Sequence, residues 1–314
     1  MAKPGSAASF KALFQDIAQD YDWPLHHPEA HPLSGKLFRD VTFAQPLGFR
    51  PLLMEVAVPA GAGPHPLIVF IHGGGWCMGS PVITNPLYRK LDFHNRFHKA
   101  GFAVARISYR LSKEAPFPAQ LHDCKAAIRY LRKHAAIFGV DPNRLAVMGD
   151  SAGGHLAAMV GLTGGNRKLE GKIGETRGSS AVSCVVNWFG PTNFLTMQKH
   201  KEKLRSLGNT NDPQSSESWL VGGPLMKRKD KAREASPITY ASKKAPPMLL
   251  QYGDKDRLVP FEQGEELYHA MKAKGCDVTL QRVPGADHCF WGVENDYLIE
   301  DDIAFFRKHL DKAA

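Results

Sequence analysis

A serine, an aspartate and a histidine occur in this chain in an order and in settings that suit nucleophilic acyl transfer. Ser151 lies in Gly149-Asp150-Ser151-Ala152-Gly153, a G-x-S-x-G pattern. A short apolar run, Leu145 to Met148, precedes it, and Ala152, Leu156, Ala157, Met159 and Val160 follow at helical spacing. A serine on a sharp strand-to-helix turn has its Oγ thrust out where a base and a substrate can reach it, and small neighbours let that turn pack tightly. The pattern alone is a weak signal, because glycine and serine are common in ordinary turns. The strand before it and the helix after it give it weight.

A serine hydroxyl is a poor nucleophile at neutral pH, so it needs a base, and the base needs a carboxylate to orient it. His288, in the Pro284-Gly285-Ala286-Asp287-His288 loop, is the expected base, and Asp256 the expected acid. Asp254 competes with Asp256, but it directly follows Gly253 and suits an Asx-type turn. Asp287 adjoins His288 and is badly placed to orient that ring. The order serine, aspartate, histidine is the one expected when the nucleophile sits on a strand-to-helix turn. The oxyanion of a tetrahedral intermediate needs preset donors. Gly73 and Gly74, which follow His72, and Ala152 at the start of its helix are expected to provide backbone N–H groups for it. His72 itself also suits a structural anchor. Trp76, Trp188 and Phe290 are the candidate walls of the substrate pocket, although Trp76 suits simple packing equally well.

Elements that position these residues are legible in the hydrophobic pattern. Strands are expected at Val41 to Gln45, Leu52 to Val58, Leu67 to Ile71, Phe102 to Ser108, Arg144 to Met148, Val182 to Phe189, Pro247 to Tyr252 and Val278 to Val283. The unbroken apolar runs among them indicate strands buried on both faces. Helices are expected at about Pro86 to Ala100, Pro118 to Phe138, Phe261 to Lys274 and Asp296 to Leu310. Phe10, Leu13, Phe14 and Ile17 suggest a further small amphipathic helix rather than a targeting peptide. Alternation of strands and helices predicts an α/β fold with a mostly parallel sheet covered on both faces. In such a sheet the site lies at the carboxyl ends of the strands. One domain spanning 1–314 is expected, with a polar, basic insertion over about 193–236 acting as a lid or rim.

Composition narrows the alternatives. The 314 residues are 43% hydrophobic and 23% charged, which is ordinary for a globular chain. No apolar run is long enough for a membrane span, and the chain as given reads as cytoplasmic, or as secreted if a leader was removed. The five cysteines are scattered with no C-x-x-C pair, which argues against a disulfide framework and a structural zinc site. The net charge of +9 is concentrated in Lys199 to Arg205 and Lys227 to Arg233. These runs lack interleaved aromatics, so they read as a solvated face rather than a nucleic-acid surface. A second reading is that they draw in an acidic substrate such as a uronic-acid-bearing polysaccharide.

Taken together, His72-Gly73-Gly74-Gly75-Trp76, Tyr109-Arg110-Leu111, Ala115-Pro116-Phe117-Pro118-Ala119, Asp123-Cys124-Lys125, Gly149 to Leu156 and Gly253-Asp254-Lys255-Asp256 resemble the α/β-hydrolase superfamily. The nearest group is the bacterial acetyl xylan and feruloyl esterases, close to the hormone-sensitive-lipase-like carboxylesterases. The resemblance runs from about Lys36 to the C-terminus. It implies hydrolysis of short-chain carboxylic esters, including acetyl or feruloyl groups on plant polysaccharide, with small-molecule or polysaccharide ester substrates and without metal or organic cofactor. Asn187 and Asn193 stand where relatives often carry aspartate, and Ser112-Lys113 replaces the Ala-Pro of the lipase-like branch. A peptidase of this fold would need a large extra domain, and a lipase a long apolar lid. A general carboxylesterase with no polysaccharide role, and a non-catalytic binding protein, remain as alternatives.

Overall fold

The apolar runs pair side by side in one sheet. The computed structural model describes residues 29–82, 92–204 and 208–311. Within them the strands are β1 (Glu29–Ala30), β2 (Lys36–Ala44), β3 (Leu52–Val58), β4 (His65–Ile71), β5 (Ala103–Ile107), β6 (Val140–Asp150), β7 (Cys184–Trp188), β8 (Met248–Gly253) and β9 (Val278–Val283). They form a nine-stranded sheet in the order β1-β2-β3-β5-β4-β6-β7-β8-β9. Pairings from β1 to β5 through β3 are antiparallel, and every pairing from β5 to β9 is parallel. The fold is the α/β-hydrolase sheet.

Burial explains why the central strands read as unbroken apolar runs. Leu67 to Ile71 and Leu145 to Met148 are buried on both faces, because helices cover both sides of the parallel sheet. The helices are α1 (Phe93–Lys99), α2 (Ala119–Lys133), α3 (Ala135–Phe138), α4 (Ala152–Leu162), α5 (Phe194–Lys201), α6 (Ser216–Leu220), α7 (Lys229–Glu234), α8 (Glu262–Lys272) and α9 (Tyr297–Leu310). α2 packs on α4 on one face, and α1 packs on α9 on the other, where Phe97 meets Phe306 edge-on. Burying a large apolar side chain in this way stabilises by about 1.5–3 kcal/mol.

Two expected helices differ from the pattern-based reading. The segment expected to be one helix from Pro118 to Phe138 is interrupted at His134, whose φ of −101° and ψ of 18° leave the helical region. The apolar stripe continues through the interruption, so periodicity does not reveal it. Gly139 ends the second piece in a left-handed conformation, as a C-terminal glycine commonly does. Of the helix expected at Pro86 to Ala100, the described part begins at Phe93. The expected amphipathic helix at Phe10 to Ile17 lies outside the described residues.

The stretch between β7 and β8 holds α5, α6 and α7. Ala235, just past α7, accepts a hydrogen bond from His155 Nε2 at 2.7 Å, which fastens this stretch to α4. The described lysines and arginines of its two basic runs are exposed, as a solvated face requires, apart from Lys201. Lys227 and Lys229 are exposed, and Lys231 and Arg233 pair locally with Glu234 and Asp230. Lys201, in contrast, is buried at 3% exposure.

Candidate active site

Ser151 sits at the junction of β6 and α4 with φ 51° and ψ −119°. A non-glycine residue at positive φ costs on the order of 1–3 kcal/mol and persists only where its surroundings hold it. Here Ser151 N donates to Trp188 O at 2.8 Å, and Ser151 O accepts from His155 N at 2.9 Å. The crowding of the turn explains the glycines on either side. A Cβ on Gly149 would meet the Gly153 carbonyl carbon at 2.4 Å, and one on Gly153 would meet Ile71 O at 1.9 Å. Only bare backbone lets α4 start this close to the end of β4.

His288 follows β9 and reaches back to the serine. Its Nε2 lies 3.1 Å from Ser151 Oγ, and its Nδ1 lies 2.8 Å from Asp256 Oδ2. Asp256 is buried, and its other oxygen accepts the N–H groups of Leu258 and Val259, each at 2.8 Å. Oδ2 is thereby aimed at the imidazole. A carboxylate at Nδ1 keeps that nitrogen protonated and leaves Nε2 with a lone pair facing the hydroxyl. The three residues expected from the sequence are thus brought within hydrogen-bonding distance of one another.

The two competing aspartates do other work. Asp254 Oδ1 accepts from Gly285 N at 2.8 Å and ties the turn after β8 to the loop that carries His288. Asp287 accepts from His288 N at 2.8 Å and from Arg257 Nε at 2.7 Å. Its carboxyl is held below the usual range by hydrogen bonds from Arg257 and His288, which outweigh the opposing effect of its partial burial.

The glycine loop requires a correction. Gly73 N–H donates to Asp150 Oδ1 at 2.9 Å, so it is not free to meet an oxyanion. The Gly73 position also has no room for a side chain, since a Cβ there would lie 2.3 Å from Asp150 Oδ2. Gly74 and Gly75, at φ 107° and 56°, both line the cavity in front of Ser151. Their N–H groups, with that of Ala152 at the first helical position of α4, are the available donors. Neither Gly75 nor Asp150 was expected from the sequence. The unbroken run of three glycines, and an acidic residue next to the serine, are the signals that point to them.

Behind this loop His72 is an anchor. Its Nδ1–H donates to Gly73 O at 2.7 Å and its ring stacks on Tyr109 at 4.4 Å. Burial lowers its pKa to about 4, so it remains neutral at physiological pH. Tyr109 Oη in turn donates to His72 O at 3.0 Å, and the next residue, Arg110, grips the buried Asp123.

The cavity in front of Ser151 has a volume of about 750 Å³. Phe70, Met78, Pro81, Leu258, Cys77 and Cys289 give it a mainly apolar wall, with Ser216 of α6 on its rim. None of the three aromatic residues expected to line it does so. Trp76 is buried between α4 and α5, where its Nε1 donates to His155 Nδ1 at 3.0 Å and its ring abuts Phe194. Trp188 is the last residue of β7. Successive strand side chains alternate between faces, and Asn187 already faces α4, so the Trp188 ring turns to the opposite layer against Phe93. Phe290 is buried against Trp188 and Phe189, edge-on to both. All three rings are buried in the core rather than presented to the cavity.

A model of the BD-FAE family matches residues 54–271, a span that includes the glycine loop, Ser151 and Asp256. The chain belongs to the BD-FAE family. Esterase LipC of Mycobacterium tuberculosis is 31% identical over 72% of this chain and 53% of its own length. The chain therefore spans about half the length of this relative. Among solved structures, a truncated carbohydrate esterase from gut microbiota superposes with a TM-score of 0.77 at 29% identity, covering 91% of this chain and all of that one. Est2, a thermophilic esterase of Thermogutta terrifontis, gives a TM-score of 0.65 at 26% identity, covering 85% of this chain and 89% of that one.

Asn187 and Asn193 have partners suited to an amide. Asn187 is buried, its Oδ1 accepting from Gly190 N at 2.8 Å and its Nδ2 donating to Tyr252 Oη at 3.1 Å. An ionised aspartate could make the first bond but could not donate the second. Asn193 caps α5 through Leu195 N and donates to Glu266.

Proposed function

We propose that this protein is a serine carboxylic-ester hydrolase that works through an acyl-enzyme, on acetyl or feruloyl esters carried by plant polysaccharide. The observation that carries the reading is the pair of contacts made by His288, to Ser151 Oγ on one side and Asp256 Oδ2 on the other. His288 Nε2 takes the Ser151 proton as Oγ attacks the ester carbonyl. Asp256 holds the ring in the required tautomer and stabilises the imidazolium that forms. The oxyanion is met by the N–H groups of Gly74, Gly75 and Ala152. His288 then returns the proton to the leaving alcohol, and water, activated by the same imidazole, releases the acid. No step in this scheme calls for a metal or a cofactor.

The substrate class draws on two supports. One is the apolar cavity, large enough for an aromatic acyl group as well as acetyl. The other is the likeness to the carbohydrate esterase from gut microbiota. Titration with a fluorophosphonate should label Ser151 with one equivalent per chain, and Ser151→Ala should be inert to label and substrate while keeping a wild-type melting curve. Labelling elsewhere, or turnover by the alanine variant, would sink the mechanism. 4-Nitrophenyl esters of increasing chain length, acetylated xylan and methyl ferulate separate the substrate readings. Activity on short aryl esters with none on acetylated or feruloylated carbohydrate would leave a general carboxylesterase.

A further inference from the structure

A second cavity, of about 310 Å³, opens beside the first. Ser216 and Leu258 line both, so the two share a wall. Its other lining comes from the end of α5 and the stretch leading into α6: Lys201, Asn209, Asp212, Gln214 and Glu217. The first cavity is mainly apolar, whereas most of the side chains around this one are polar or charged.

Lys201 is the unusual member. Its side chain is almost fully buried, yet it makes no hydrogen bond or salt bridge among the described residues. Glu217 and Asp256 attract it only at longer range, and burial lowers its pKa. Its ammonium is not among the fully buried, unpartnered nitrogens of the described residues, so it meets solvent through the cavity with three donors and no acceptor. A residue in this state, lining a cavity, is poised to donate to whatever enters.

The sign of the surrounding charge decides what that is. Glu217 and Asp212 line the same space, each with one oxygen engaged locally, by Ser216 Oγ at 3.2 Å and by Gln214 N at 2.7 Å. A carboxylate or phosphate approaching Lys201 would face both acids, and a cation approaching the acids would face Lys201. A neutral polyol meets neither penalty. Each of its hydroxyls accepts from the ammonium or an amide nitrogen and donates to a carboxylate or amide oxygen.

We infer that the cavity lined by Lys201, Asn209, Asp212, Gln214 and Glu217 is a subsite for the hydroxyls of a saccharide whose ester group reaches Ser151. This rests on the proposed ester hydrolysis and assigns the alcohol portion of the substrate a place. It also gives one lysine of the basic run a specific use, for neutral sugar rather than for an acidic one.

The test compares wild type with Lys201→Met, and with an Asn209→Ala, Gln214→Ala double variant at the more exposed rim that guards against a folding failure of the first. Initial rates are measured on acetylated xylo-oligosaccharide, on the same oligosaccharide bearing a glucuronic acid branch, and on 4-nitrophenyl acetate. The ratio of kcat/KM for acetylated oligosaccharide to that for 4-nitrophenyl acetate should fall about tenfold in each variant, mostly through KM, with the branched and unbranched substrates affected alike. An unchanged ratio in both variants overturns the inference. Selective loss on the branched substrate overturns it in favour of an anion site. Should the wild type hydrolyse no ester, the proposed function fails on its own. The subsite is then read by calorimetric titration of xylo-oligosaccharide into Ser151→Ala with and without Lys201→Met, where equal affinity counts against it.

Discussion

Replacing Asp256 by asparagine changes one atom and should remove almost all activity, for a reason set by the geometry of its two oxygens. Oδ1 accepts two backbone N–H groups, from Leu258 and Val259, each at 2.8 Å. An amide must keep its oxygen there, because an NH2 group would face two donors in a buried position. The NH2 is therefore forced onto the Oδ2 side, 2.8 Å from His288 Nδ1 in the parent structure. It donates, so Nδ1 must accept, and the ring proton moves to Nε2, where it faces Ser151 Oγ across 3.1 Å. The imidazole is then the wrong tautomer to act as base. In a serine hydrolase this exchange lowers kcat by roughly 10⁴-fold, equivalent to about 5.5 kcal/mol of barrier at 1.36 kcal/mol per decade. The hydrogen-bond count is conserved, so the melting temperature should shift little. Asp254→Asn is the control: its carbonyl can still accept from Gly285 N, and activity should stay within a few fold of wild type. Initial rates on 4-nitrophenyl acetate and a thermal melt suffice. An Asp256→Asn variant within tenfold of wild type, or a larger loss in Asp254→Asn, would refute the reasoning.

Three other outcomes are expected. Asp150→Ala releases Gly73 N–H and loosens the loop that presents Gly74 and Gly75, so kcat on 4-nitrophenyl acetate should fall by up to about 10²-fold with little change in KM; unchanged kcat would show that the pin is dispensable. Gly153→Ala puts a methyl 1.9 Å from Ile71 O, which should push α4 off β4, cost about 1–3 kcal/mol in chemical denaturation and abolish fluorophosphonate labelling; a variant that labels at the wild-type rate contradicts this. Asp302, fully buried on α9, has its pKa raised well above the ordinary carboxylate value by burial, so the folded state holds a proton that the unfolded chain releases. Its stabilising effect is therefore complete below the unfolded carboxylate pKa and is lost as pH rises toward the folded one, at about 1.4 kcal/mol per pH unit. Urea unfolding from pH 5 to 8 should show Asp302→Asn gaining on wild type as pH rises, and parallel pH profiles would exclude the effect.

Much of this molecule was legible in the chain itself. The central strands are long apolar runs because both faces are covered. The reactive residues were traceable because the strand-to-helix turn and the acid and base loops each follow a strand. The choice of Asp256 over Asp254 was legible too, since a residue next to a glycine turn is generally needed by the turn. What only the tertiary structure decided is direction. Gly73 and Gly74 look equivalent in sequence and both line the cavity, yet the carboxylate of Asp150, distant along the chain, takes the N–H of the first and leaves that of the second without a partner among the described residues. Trp76, Trp188 and Phe290 lie near chemically important residues, but the pleat of β7 and the contacts with α4, α5 and α1 turn their rings into the core. Lys201 belongs to a run that reads as solvent-facing, and only the packing of α5 against the next stretch turns it inward. Residue type and periodicity are local properties of a chain, whereas the orientation of a donor or a ring depends on neighbours that folding alone brings near.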